Sequence, residues 1–203
     1  MSLPIEYQIR TGFLPSLDQG RGMGATEDGV SLTVIGKKLQ VGDDVPRYAL
    51  FEANKDGALR VRTPDLEFKL PNRHILYTVN AFNTSVCAQE ASIAEQLVKS
   101  QRLFPEELYG VSNETPSELS LWKQENPITH TLLSASRTDF GARFGVTIKE
   151  WGGDLQRALF AISGQKVVYA EYIYDQGGPL PDFNAAIQAL GYGGARHGLI
   201  KLG

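Results

Sequence analysis

Ala158-Leu159-Phe160-Ala161-Ile162-Ser163-Gly164-Gln165-Lys166-Val167-Val168-Tyr169-Ala170-Glu171 is the stretch whose reading decides the fold. Two apolar, β-favouring runs flank Ser163-Gly164-Gln165-Lys166, whose residue types turn a chain. The spacing predicts strands over Leu155–Ser163 and Val167–Tyr174, joined by a short turn and therefore antiparallel. Upstream, Trp151-Gly152-Gly153-Asp154 is a second turn cluster, preceded by a predicted strand over Arg143–Glu150. Three strands with short connections make a meander.

Working outward, Val30, Leu32 and Val34 alternate at period two and predict a strand within Val30–Leu39. Pro46–Ala53 and Ala58–Arg62 read as hairpin arms around Asn54-Lys55-Asp56-Gly57. Arg73–Val79 and Ser85–Gln89 read as further strands. The middle of the chain changes character. Ala91–Leu103 carries helix formers. Thr115-Pro116-Ser117-Glu118 has a capping residue, a first-turn proline and the glutamate of a capping box, so a helix runs from there to about Gln124. Pro127 stops it and opens a short helical segment, Ile128–Ser134. Asp182 caps a last helix, Phe183–Leu190, with Gly191 just past its end. Strands, a helical excursion, then strands predict an α+β fold: a mostly antiparallel sheet, a helical middle and a short C-terminal helix. The chain reads as a single domain over residues 1–203, with a flexible glycine-rich tail from about 191.

The chain has 203 residues, 42% hydrophobic and 21% charged, a globular composition. A net charge of -3 argues against broad binding of nucleic acid or an anionic membrane surface. Met1–Glu6 lacks the pattern of a signal peptide, and no apolar run reaches the ~20 residues of a membrane helix. The expected location is the cytoplasm. The single cysteine, Cys87, reads as a small buried hydrophobe without a histidine neighbour that would mark a nucleophile. His74, His130 and His197 are isolated, so no metal motif is present.

Glu171 is the one charge in Val167–Tyr174, on the strand face of Val167, Tyr169 and Ile173. A carboxylate there needs a cation, a raised pKa or a ligand to offset burial. Arg73, opening a strand with Ile75, Tyr77 and Val79 on its face, is the cation best placed to grip a carboxylate. A structural ion pair or a solvated face is the alternative for each. The helix start predicted near Ile128 offers free amides to an anion.

Three segments in this order resemble the chorismate pyruvate-lyase family. They are Arg73-His74-Ile75-Leu76, the run from Asn126-Pro127-Ile128 to Thr138-Asp139-Phe140, and the hairpin Ala158–Glu171. The resemblance implies a sheet with helical flaps over an internal site. It implies a cofactor-free lyase that converts chorismate, or a similar dicarboxylate, to 4-hydroxybenzoate and pyruvate. Arg73 and the backbone at Ile128 would hold the carboxylates of this small anionic substrate, and Glu171 would be the catalytic acid or base, with no metal. Two other readings stand beside it: a non-catalytic small-acid-binding domain of the same fold, and a structural or assembly protein such as a phage component. The oligomeric state is open.

Overall fold

The structure is a computed structural model that describes residues 21–25, 29, 31–53, 59–62, 70–174 and 179–191. Ten strands are named among them: β1 (Arg21–Ala25), β2 (Ser31–Ile35), β3 (Leu50–Ala53), β4 (Leu59–Arg62), β5 (Arg73–Thr78), β6 (Leu108–Ser112), β7 (Thr131–Ser134), β8 (Thr147–Ile148), β9 (Ala158–Ser163) and β10 (Lys166–Tyr172). The helices are α1 (Ser85–Lys99), α2 (Pro116–Glu125), α3 (Phe140–Phe144) and α4 (Phe183–Ala189). Seven strands form the main sheet in the order β10-β9-β5-β6-β7-β3-β4, and β1-β2-β8 form a small one. Pairing is antiparallel except for β5–β6 and β6–β7, so the fold is α+β with a mostly antiparallel sheet and a short C-terminal helix.

The Ala158–Glu171 hairpin forms as its sequence predicts, with Lys166 opposite Ser163 and Gly164 at φ 62 in the turn. The next neighbour of β9 is not Arg143–Glu150 but β5, which pairs with it from Arg73–Ser163 to Thr78–Ala158. Arg143–Glu150 instead divides into the end of α3, the left-handed Gly145 that closes it, and the two-residue β8. A strand that begins with a helix C-cap glycine cannot run the length predicted for it.

Alternate residues of the central strands feed two apolar layers. Ile75, Tyr77, Leu132, Leu159 and Ala161 pack with α1, α2 and α4, while Leu76, Leu133, Phe160 and Ile162 pack with Phe140 and Phe144 of α3. This two-sided burial explains why β5 and β9 lack a polar face. Thr115 and Glu118 close the capping box of α2, and Asp182 accepts from the Ala185 amide to start α4. The Asn54–Gly57 turn and the tail beyond Gly191 lie outside the described residues.

Two further expectations are overturned. Ser85–Gln89 is the opening of α1, not a strand. Its composition resembles a strand, but Cys87, Ala91, Ala94 and Leu97 repeat at three to four residues and form one buried helical face. Ile128–Ser134 is not a helix. The Ile128 amide donates to Asn126 O at 2.7 Å, and Thr131–Ser134 pairs parallel with β6. No helix among the described residues is long and apolar enough to cross a membrane.

Candidate active site

The carboxyl end of β5 runs through Val79–Thr84 into α1, so the central strand delivers the first turn of a fifteen-residue helix to the middle of the sheet. Cys87 is the third residue of that helix and is 2% exposed. Thr84 stands at the cap position with extended backbone, yet its hydroxyl donates to Ala81 O at 3.0 Å and caps no helix amide. The first turn also holds no acidic side chain. The helix therefore presents the positive end of its dipole, unneutralised by its own side chains, where the sulfur sits. A thiolate or a polar oxygen is the species such a terminus favours.

Glu90 lies one turn beyond Cys87 on the same face and is fully buried. Arg157, just before β9, reaches it: Arg157 Nε is 3.0 Å from Glu90 Oε2, with both side chains out of water. Burial pushes the Glu90 carboxyl up to about 8, against the pull of Arg157 and with help from the charge of Glu171. The 3.0 Å contact with Arg157 pulls the carboxyl down by charge and by hydrogen bonding, but burial outweighs both. Asn80 Oδ1, in the loop before α1, is buried without a hydrogen-bond partner. The loop is held from just past β6, where Glu114 accepts from the Phe82 amide at 2.8 Å and from Ser112 Oγ at 2.9 Å.

A second polar group lies further along α1. Glu95 of α1 accepts from Thr129 N, Thr129 Oγ1 and His130 Nδ1 at 2.9, 2.8 and 2.8 Å. Tyr77 Oη lies 2.8 Å from His130 Nε2. Burial brings His130 down to about 4, against Glu95 and with Lys123. Burial alone would raise Glu95, but its bonds to Thr129 and His130 outweigh that and hold it below the usual carboxylate range.

The residues singled out in sequence are not gathered into one cleft. Arg73 is exposed at the start of β5, opposite Ser163, whereas Glu171 is opposite Leu159. Four residues of β9 separate their pairing positions, about 13 Å along the strand. Glu171 is half-buried and accepts from Tyr169 Oη at 2.9 Å and from the Asp182 amide at 2.8 Å, just ahead of α4. Its charge acts on Glu90, as the last and smallest of the causes that shift that carboxyl. Ile128 lies elsewhere, lining a cavity of about 370 Å³ with Leu119, Lys123 and Leu132. No group of His, Cys, Asp and Glu among the described residues could hold a metal. Sequence reasoning missed Cys87, Glu90 and Arg157. The helical spacing from Cys87 to Leu97 was the available signal for the first two, and an arginine at the head of an apolar strand was the signal for the third.

The AhpC/TSA family model matches residues 41–171. A thiol peroxidase of Bacillus subtilis (strain 168) is 30% identical over 152 residues, spanning 73% of this chain and 85% of the relative. One from Staphylococcus saprophyticus is 27% identical over 168 residues, covering 78% and 92%. The solved structure of a thiol peroxidase from Chromobacterium violaceum superposes with a TM-score of 0.68 at 20% identity, over 85% of this chain and 96% of that one, which establishes a shared fold. These matches overturn the resemblance to chorismate pyruvate-lyase, whose quoted segments follow the sheet rather than a site. With it fall the lyase activity on chorismate, the small-acid-binding and assembly alternatives, and the anionic substrate.

Proposed function

The chain belongs to the AhpC/TSA family, and on that premise we propose that it is a thiol peroxidase whose nucleophile is Cys87. The observation that carries the reading is the placement of the single cysteine in the first turn of α1, one turn from the buried Arg157–Glu90 pair. The names of the relatives supply the reaction class, and the geometry supplies a role for each group.

The Cys87 thiolate attacks one oxygen of a hydroperoxide. A sulfur–oxygen bond forms, the oxygen–oxygen bond breaks, and the other oxygen leaves as water or an alcohol after taking a proton. Negative charge moves from sulfur to the leaving oxygen. The amides at the start of α1 and the Arg157 guanidinium suit that moving charge. Glu90 orients Arg157. The product is the sulfenic acid of Cys87. With one cysteine in the chain, a thiol from another molecule must resolve it. That thiol forms a mixed disulfide and releases water, and a second thiol displaces Cys87 in its reduced form. Such a cycle needs a reducing compartment, and we place the protein in the cytoplasm.

The test is consumption of hydrogen peroxide and of an organic hydroperoxide by purified protein with dithiothreitol as reductant. Activity above the uncatalysed rate that disappears in a folded Cys87→Ser variant supports the reading. Equal rates for the two proteins would sink it.

A further inference from the structure

Glu95, His130 and Tyr77 make a continuous chain of hydrogen bonds from α1, through the residue before β7, to β5. All three are buried, at 2%, 0% and 0% exposure. The proton positions follow from the partners. Glu95 is an anion that can only accept, so neutral His130 carries its proton on Nδ1 and presents a bare Nε2. Tyr77 must then donate its hydroxyl proton to Nε2. Burial first, then the charges of Glu90, Glu95 and Cys87, keeps the Tyr77 phenol protonated. Its oxygen is left facing the core with lone pairs alone.

The chain is built into the sheet. Tyr77 is paired with Gly110 of β6, and a Cβ on Gly110 would stand 2.5 Å from Tyr77 Oη. The absent side chain is the space that the phenol crosses on its way to His130. Lys123 of α2 secures the other end, donating to His130 O at 2.7 Å. Phe82 from the loop before α1 and Phe183 of α4 meet the phenol ring edge-on.

We propose that Tyr77, His130 and Glu95 are positioning residues for Cys87: they tie the helix that opens with the thiol to the strand that leads into it, and so fix the line along which sulfur meets a peroxide oxygen. The inference rests on the reading of Cys87 as the peroxide-reactive thiol. Displacement at a peroxide oxygen needs the alignment of the folded site, whereas iodoacetamide, which no group here orients, reacts when the 2%-exposed sulfur is uncovered.

The experiment measures both reactions of Cys87 by mass spectrometry, with hydrogen peroxide and with iodoacetamide, in the full chain and in folded Tyr77→Phe and Glu95→Gln variants. The expected result is a fall of about tenfold or more in the peroxide rate constant, with the alkylation rate constant unchanged or raised. A pH series supplies a second reading. As the wild-type protein is taken from pH 7 toward 4, His130 gains a proton, Nε2 becomes a donor, and the bond from Tyr77 must reverse. The ratio of peroxide to alkylation rates then falls in the wild type and stays flat in Tyr77→Phe. If a variant does not fold, His130→Gln and the wild-type pH series read the same ratio. Unchanged ratios in the folded variants, or a flat wild-type series, overturn the proposal. Wild-type Cys87 that peroxide does not oxidise at all would instead overturn the peroxidase reading on which it rests.

Discussion

Arg157 Nε stands 3.0 Å from Glu90 Oε2, and neither side chain is more than 1% exposed. The contact joins β9 to α1 one turn from Cys87. Burial keeps the Glu90 carboxyl protonated up to about pH 8, so removing Arg157 leaves a buried polar group without its partner, which costs about 1–3 kcal/mol. Arg157→Met is expected to lose stability on that order, read as a shift of the urea midpoint, and to lose peroxidase activity even at temperatures where it remains folded.

The same pair gives a dependence on alkaline pH. The Glu90 carboxyl is raised by burial from 4.5 to about 8, so the folded protein binds a proton there that the unfolded chain releases. The stabilisation from that proton is complete below the unfolded value and is lost as pH rises through the folded one. Glu90→Gln removes the titration. Between pH 6 and 8 the wild type should lose about 2–3 kcal/mol relative to Glu90→Gln in urea titrations. A constant difference between the two proteins across that range would show that Glu90 stays ionised in the fold.

Acid acts through the histidines. Burial depresses His74 and His130 from 6.5 to about 4, so here the unfolded chain binds the extra proton and stability falls as pH drops through that window. Glu95, held below its usual value, adds a loss of the same sign. His74 donates from Nδ1 to Pro71 O at 2.6 Å, a bond that any protonation state keeps, so desolvation of the charge is the cost. Each histidine is worth up to about 3 kcal/mol between pH 6.5 and 4. Urea midpoints measured at steps through this range should fall steeply in the wild type and less steeply in His74→Asn.

Gly110 is the steric counterpart of the Tyr77 bond. Its backbone is ordinary strand, so alanine costs nothing in φ, but the new Cβ would lie 2.5 Å from Tyr77 Oη and 2.8 Å from Leu132 Cδ2. Neither can yield without opening the core. Gly110→Ala is expected to destabilise by about 1–3 kcal/mol. It should also displace the hydroxyl from His130, visible as a changed His130 ring shift in nuclear magnetic resonance spectra.

The parts of this fold legible in the sequence are those written locally. The Ser163–Lys166 turn, the Thr115–Glu118 capping box and the Asp182 cap each lie within a few residues, and each formed as read. The parallel pairing of β5, β6 and β7 was not legible, because the partners of a parallel strand are distant in sequence and no turn announces them. The site failed for the same reason and one more. Arg157 and Glu90 are 67 residues apart. Val86-Cys87, read alone, suits a strand as well as a helix, and only the apolar spacing onward to Leu97 decides between them. The lyase resemblance rested on the Ala158–Glu171 hairpin, the strand start at Arg73 and the run from Asn126 to Phe140, short patterns that occur whatever the chemistry.

A single cysteine makes a sharp prediction about the catalytic cycle. After one equivalent of peroxide, the intact protein should gain one oxygen atom at Cys87. Added glutathione should then give a one-to-one mixed disulfide, with loss of water, and no internal disulfide can compete with it. Because Cys87 is 2% exposed, the first turn of α1 must open for a thiol to reach the sulfur, and the mixed disulfide should form more slowly than the sulfenic acid. Excess peroxide without thiol should carry the trapped sulfenic acid on to the acids with two and three oxygen atoms, ending activity irreversibly. Mass spectra taken over such a time course check each step. A mixed disulfide that never forms, with activity nonetheless sustained by the thiol, would mean that reduction proceeds without a covalent thiol adduct at Cys87.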